Sequence, residues 1–173
     1  MDRGKVLLTK EQMDSIENYG RYRDVDGDGI PYRTLPGSGL DPILYRGTGH
    51  DEDGTYSEKP DVYYKLMQRL KRKINNARDD LPAPIMRDEV EEDIGIVFYG
   101  SLENSIVEID DILEEITGKK VSTCRVRALP LHSEVQEFVE RHNTVIILEI
   151  NRDAQLYGIM RKEFPNHLLN KMH

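Results

Sequence analysis

Asp93-Ile94-Gly95-Ile96-Val97-Phe98-Tyr99-Gly100-Ser101 decides the fold. A short, nearly unbroken apolar run closes on a glycine and a serine, and a helical pattern follows. The same order then repeats: Val121-Ser122-Thr123-Cys124-Arg125-Val126-Arg127-Ala128-Leu129-Pro130, a second helical pattern, and Thr144-Val145-Ile146-Ile147-Leu148-Glu149. Apolar strands alternating with amphipathic helices specify an α/β fold, an open, mostly parallel sheet with helices on both faces. Such sheets gather functional residues just beyond the carboxyl ends of their strands. Here those loops are Tyr99-Gly100-Ser101, Ala128-Leu129-Pro130 and Ile150-Asn151-Arg152. Gly100 and Ser101, at a strand-to-helix turn, are a candidate anion-binding pair on free helix N–H groups, with Ser101 as a plain N-cap the alternative.

Within this half, Leu102, Ile106, Ile109, Leu113 and Ile116 are expected inward, with Glu103, Asp110, Glu114 and Glu115 outward. Ser133 and Gln136 read as a capping box ahead of a Val135, Phe138, Val139 stripe. Asp153 can start a helix carrying Leu156, Ile159, Met160 and Phe164. Three strands make a thin open sheet with an exposed border, so companion polypeptide is expected to complete it.

Upstream, Val62, Leu66, Met67, Leu70 and Ile74 predict a helix over residues 62–78 with Asp61 as N-cap and a basic face of Lys65, Arg69, Arg72, Lys73 and Arg78, either solvated or paired with the acidic helix at Glu103–Glu115. Leu81-Pro82-Ala83-Pro84 closes it as a boundary. Residues 24–61 lack periodicity and are rich in Gly, Pro, Asp and Tyr. A structureless connection of that length reads as a strap lying on another surface, carrying Tyr32, Leu35, Ile43, Leu44 and Tyr45. Near the start, Thr9 and Gln12 form a capping box for one short helix. The expected organisation is an irregular arm over residues 1–61, a helix and linker over 62–84, and the α/β domain over 85–173.

Composition narrows the function. The chain has 173 residues, 38% of them hydrophobic, and a net charge of -8, which argues against nucleic-acid binding. No apolar stretch approaches the roughly 18 residues of a membrane span. A single cysteine, Cys124, excludes an internal disulfide and suits a reducing, cytoplasmic setting. Lying mid-strand, it reads as a buried apolar group, not a nucleophile, and no catalytic residue is assigned.

Two polar clusters stand out in the arm. Asp24, Asp26 and Asp28, with Gly29, copy the opening of a calcium loop, but Pro31 and Leu35 occupy positions where the loop grammar continues differently. A turn satisfying its own backbone is the other reading. Arg46-Gly47-Thr48-Gly49-His50-Asp51-Glu52 sets a cation, an imidazole and two carboxylates on a glycine-permitted backbone. Without a Gly-Lys-Ser ending it is no phosphate loop, which leaves a polar surface turn or a contact with partner or substrate.

Tyr22-Arg23-Asp24-Val25-Asp26-Gly27-Asp28-Gly29-Ile30-Pro31-Tyr32-Arg33-Thr34-Leu35-Pro36-Gly37, then Arg46–Glu52 with Tyr56-Ser57-Glu58, then Glu149-Ile150-Asn151-Arg152-Asp153-Ala154-Gln155-Leu156 occur in this order. The order and spacing resemble the alpha subunits of 2-oxoacid:ferredoxin oxidoreductases, the 2-oxoglutarate type especially, over their C-terminal part. Ile150 and Ala154 stand where that pattern has Gln and Gly. The resemblance implies a transketolase C-terminal-like domain within a complex that oxidatively decarboxylates a 2-oxoacid onto coenzyme A. That complex uses thiamine diphosphate, Mg and iron–sulfur clusters, and ferredoxin accepts the electrons. The family's Tyr-Pro-Ile-Thr-Pro-type thiamine motif and its cluster cysteines are absent here, so the piece is expected to bind no cofactor and to be inactive alone. It would act as a docking element for the N-terminal pyrimidine-binding domain of the alpha subunit, the beta subunit and, where present, a gamma subunit. The expected contacts are Arg46, His50, Asp51 and Glu52 from the arm, with Asn151, Arg152 and Gln155 from the sheet edge. The alternative is a free-standing calcium-binding or adaptor module on the Asp24-Asp26-Asp28 loop.

Overall fold

The computed structural model describes residues 4–40, 45–78, 80–87 and 93–173, which form two compact units, Met1–Ala77 and Arg78–His173. Ile43 and Leu44 of the expectations above lie outside the described residues.

The second unit is the sheet. Its strands are β3 (Ile85–Arg87), β4 (Ile94–Tyr99), β5 (Ser122–Val126) and β6 (Thr144–Leu148), in spatial order β3-β5-β4-β6. β4 pairs in parallel with β5 and with β6, while β3 adds an antiparallel edge to β5. Alternate side chains of each strand face opposite ways. Ile96 and Phe98 meet Ile106, Ile109 and Leu113 of α3 (Ile106–Thr117) on one face. Val97, Cys124 and Val145 meet, on the other, Phe138 and Val139 of α4 (Ser133–Arg141), Leu156 and Met160 of α5 (Gln155–Glu163) and Leu168 of α6 (Asn166–Leu169). The mostly parallel α/β sheet read from the sequence is therefore observed, with Cys124 fully buried in it.

Three expectations are corrected. The sheet has a fourth strand, β3, too short and interrupted for alternation to reveal. The border beyond β6 is not open: Val145 and Ile147 donate to the carbonyls of Lys171 (2.7 Å) and His173 (2.8 Å), and Met172 bridges Val145 in parallel. On α3, Asp110 faces inward and Ile116 outward. The buried Asp110 carboxylate accepts from Val121 N–H (3.3 Å) and pairs with Arg87 at 2.9 Å, so two partners offset its desolvation.

The first unit is the arm together with the helix that follows it. β1 (Val6–Leu7) and β2 (Arg33–Thr34) make a two-stranded parallel ribbon, and α1 (Lys10–Asp14) starts on the Thr9–Gln12 capping box that the sequence announces. α2 (Pro60–Asn76) begins earlier than expected because Pro60 suits the first helical position, which puts Asp61 in the first turn instead of at the cap. Leu7 is the buried apolar side chain of this unit among the described residues, beside buried Thr34, His50 and Arg69. No helix among the described residues is long and apolar enough to cross a membrane.

Candidate functional site

Residues 46–58 fold as a tight hairpin. Asp51 N–H donates to the Thr55 carbonyl (2.9 Å), Ser57 N–H to the Gly49 carbonyl (3.1 Å), and His50 bridges Tyr56. The Asp51 carboxylate caps the turn by accepting from the N–H groups of Asp53 and Thr55. The hairpin is pinned to the chain entering it. Tyr22 N–H donates to the Glu52 carbonyl (2.8 Å), and the Tyr22 hydroxyl accepts from Arg46 N–H (2.7 Å). Arg23 pairs with Glu52 (3.4 Å) and Asp53 (3.1 Å), and Arg46 Nε donates to the Gly54 carbonyl. The structure thus brings Arg46, His50, Asp51 and Glu52 into one element, with Arg46 and Asp51 engaged in shaping it.

His50 is 7% exposed, its ring centroid 4.0 Å from that of Tyr22. Its Nδ1 donates to the Thr48 carbonyl at 2.7 Å, which leaves Nε2 buried and without a hydrogen-bond partner among the described residues. Hairpin, Tyr22 and α2 enclose an open cleft of about 550 Å³, lined among others by His50, Glu52, Leu66, Arg69 and Arg72.

Arg69 was expected on a face either solvated or paired with an acidic helix and is instead buried, 8% exposed. Its guanidinium donates to the Gly29 carbonyl (3.1 Å) and lies over Tyr22, while burial lowers its pKa against the attraction of Asp24. The loop reaches the helix so closely that a Cβ on Gly29 would sit 2.3 Å from Lys73 N, and the positive φ of 88° suits glycine as well.

The acidic loop is arranged around ammonium and guanidinium groups. Lys5 Nζ lies 2.6 Å from Asp26 and 2.6 Å from Asp28. Asp24 accepts from Gly29 N–H (2.9 Å) and pairs with Arg72 (2.8 Å), and Asp28 accepts from Ile30 N–H. Burial works against the Lys5 charge, but its bonds to Asp26 and Asp28 outweigh it and raise its pKa, and the same contacts lower that of Asp28. Among the described residues no three His, Cys, Asp or Glu side chains are grouped to hold a metal ion. At Asp24, Asp26 and Asp28, where the sequence left a calcium loop and a self-satisfied turn both open, a lysine on the neighbouring ribbon supplies positive charge.

In the sheet unit, strand order reverses between β4 and β6, where open α/β sheets have their ligand crevice. Two side chains pin that crevice. Asn151 Nδ2 donates to the Tyr99 hydroxyl (3.0 Å) and to Glu149 (2.5 Å). The Glu149 carboxylate accepts from Leu156 N–H (2.9 Å) and Tyr157 N–H (3.1 Å), satisfying the first turn of α5. Burial opposes that charge, but these N–H groups prevail and hold the carboxyl below its usual range. Asn151 Oδ1 also accepts from Asp153 N–H and Gln155 N–H, whereas Arg152 projects into solvent beside Asp153. Helix α5 therefore starts at Gln155 after left-handed Ala154, with no cap from Asp153. Gly100 and Ser101 open a 3-10 turn (Gly100–Asn104), and α3 begins only at Ile106. Likewise His132, not a Ser133–Gln136 box, caps α4. Arg69, Lys5, Tyr22 and Glu149 are the structuring residues missed as sites; the motifs quoted above contain the last two, but no local pattern marks the others.

No family model and no curated protein matches the chain. Among solved structures it is similar to a 2-oxoglutarate:ferredoxin oxidoreductase from Magnetococcus marinus, solved with 2-oxoglutarate, coenzyme A and succinyl-CoA bound. The identity is 25% and the TM-score 0.73, covering 87% of this chain and 26% of that one. The resemblance drawn from the motifs holds in three dimensions, and the chain spans about a quarter of its solved counterpart.

Proposed function

We propose, from this likeness to a 2-oxoacid:ferredoxin oxidoreductase, that the chain is the C-terminal part of an alpha-type subunit and serves as its docking element. The observation that carries the reading is the joint occurrence of a 0.73 TM-score across 87% of the chain with coverage of only 26% of the solved chain. The complete complex would be a cytoplasmic, CoA-dependent 2-oxoacid oxidoreductase with thiamine diphosphate, Mg and iron–sulfur clusters on the companion polypeptides. Exposed Arg46 and Glu52 of the hairpin, with solvent-facing Arg152 and Gln155, are the side chains offered to those companions, and buried His50 lines the cleft behind them. Gly100 and Ser101 are kept as a lesser anion contact.

The function of Glu149, Asn151 and Asp51 in this reading is to hold the loops in shape, because their polar atoms are engaged within the chain. The test is reconstitution with the other oxidoreductase polypeptides of the same source. A stable complex reducing ferredoxin with 2-oxoglutarate and coenzyme A, and no such reduction by the chain alone, is expected. Failure to associate with any of them would reject the proposal.

A further inference from the structure

Helix α2 carries two stripes of the same spacing, Lys65-Arg69-Arg72-Asn76 and Tyr63-Met67-Leu70-Ile74, offset by two residues. A two-residue offset is a rotation of roughly 200°, so the stripes lie on nearly opposite faces. An amphipathic helix ordinarily turns its apolar stripe onto its own unit. Here the polar stripe is the docked one. Arg69 donates to the Gly29 carbonyl, Arg72 pairs with Asp24, and Asn76 donates to the Asp28 carbonyl (3.0 Å). The apolar stripe is left out: Tyr63 is 57%, Leu70 36% and Ile74 53% exposed, with Tyr64 beside them at 65%. Exposed lysines, Lys71 and Lys73, flank it.

We propose that the Tyr63-Met67-Leu70-Ile74 face of α2 is the surface on which a companion oxidoreductase polypeptide seats a patch that is apolar at its centre and acidic at its rim. The inference rests on the docking role proposed above and adds to it a place and a partner chemistry. Charge selects that chemistry: α2 holds five cationic side chains against the single carboxylate of Asp61, and two of the five, Arg69 and Arg72, are committed to the arm. Tyrosine and methionine at the stripe match the composition of protein interfaces, where rigid or adaptable apolar groups bind at low entropic cost.

The chain is co-expressed with the remaining oxidoreductase polypeptides of its source as wild type, as Leu70→Asp/Ile74→Asp and as Lys71→Glu/Lys73→Glu. The affinity for the companions should fall about tenfold or more in the first variant. It should fall less in the second, with a flatter salt dependence. Circular dichroism of both variants should be unchanged, since the altered side chains are exposed. Unaltered affinity in an assembled complex overturns this inference and leaves the docking role standing; no complex with the wild-type chain overturns both. The inference is equally overturned if the aspartate variant instead abolishes self-association in sedimentation, or binding to phosphatidylserine vesicles, with companion affinity intact.

Discussion

The sheet unit buries Phe138, Val139, Met160 and Leu168 against its strands, whereas Leu7 is the buried apolar side chain of the arm unit among the described residues. What holds the arm is polar and local: Lys5 between two aspartates, Arg69 on a carbonyl, Asp51 and Tyr22 pinning a hairpin. Apolar burial is worth about 25 cal/mol per Å² removed from water, while an exposed ion pair gains at most about 1 kcal/mol. The sheet unit thus has the means to stand by its own core, and the arm unit a defined shape with little to enforce it.

The comparison sharpens under mutation, and the largest effect belongs to the sheet. Phe138→Ala should cost about 3–5 kcal/mol, read as a lowered urea midpoint of the sheet unit. Gly29→Ala should cost about 2 kcal/mol or more by strain at positive φ and collision with the α2 backbone. Its readout is faster proteolysis within residues 24–34 while the sheet's urea midpoint stays put; an unchanged digestion pattern would contradict the arm geometry.

Next comes Glu149→Gln, at about 1 kcal/mol, because a neutral amide is a weaker cap on α5 than a carboxylate. The folded pKa of Glu149 lies below its ordinary 4.5, so its contribution is complete above that value and drains as pH falls through the lower, folded one. The variant should therefore lose part of the acid sensitivity of the sheet unit, measured as thermal midpoint against pH. The smallest effect is Lys5→Ala, under about 1 kcal/mol and shrinking with added salt. Lys5 has a raised pKa and Asp28 a lowered one. Their pairing therefore holds from near the ordinary 3.8 of Asp28 to near the ordinary 10.5 of Lys5, and lapses outside that window at either end.

Legibility in the sequence follows the same division. Ile94–Tyr99, Ser122–Val126 and Thr144–Leu148 were readable because burial on both faces of a parallel sheet demands continuous apolar runs. Thr9–Gln12 was readable because a capping box is local. Arg69 was misread because periodicity tells which face of a helix is apolar but not which face a neighbour covers. The pairing of the aspartate loop went unread for a related reason: its counter-ion, Lys5, sits far away in the chain. Asp110 turned inward because Arg87 and Val121 N–H come from other strands and the strand entry, invisible to a helical wheel. Tertiary polar contacts left no trace at short range; apolar packing did.

Native-state hydrogen exchange on the isolated chain tests the central contrast most directly. Amides of β4, β5 and β6 should exchange only through global opening of the sheet unit, and those of α2 should exchange markedly faster through a separate local opening. Equal protection of α2 and the central strands, collapsing together in denaturant, would contradict the account.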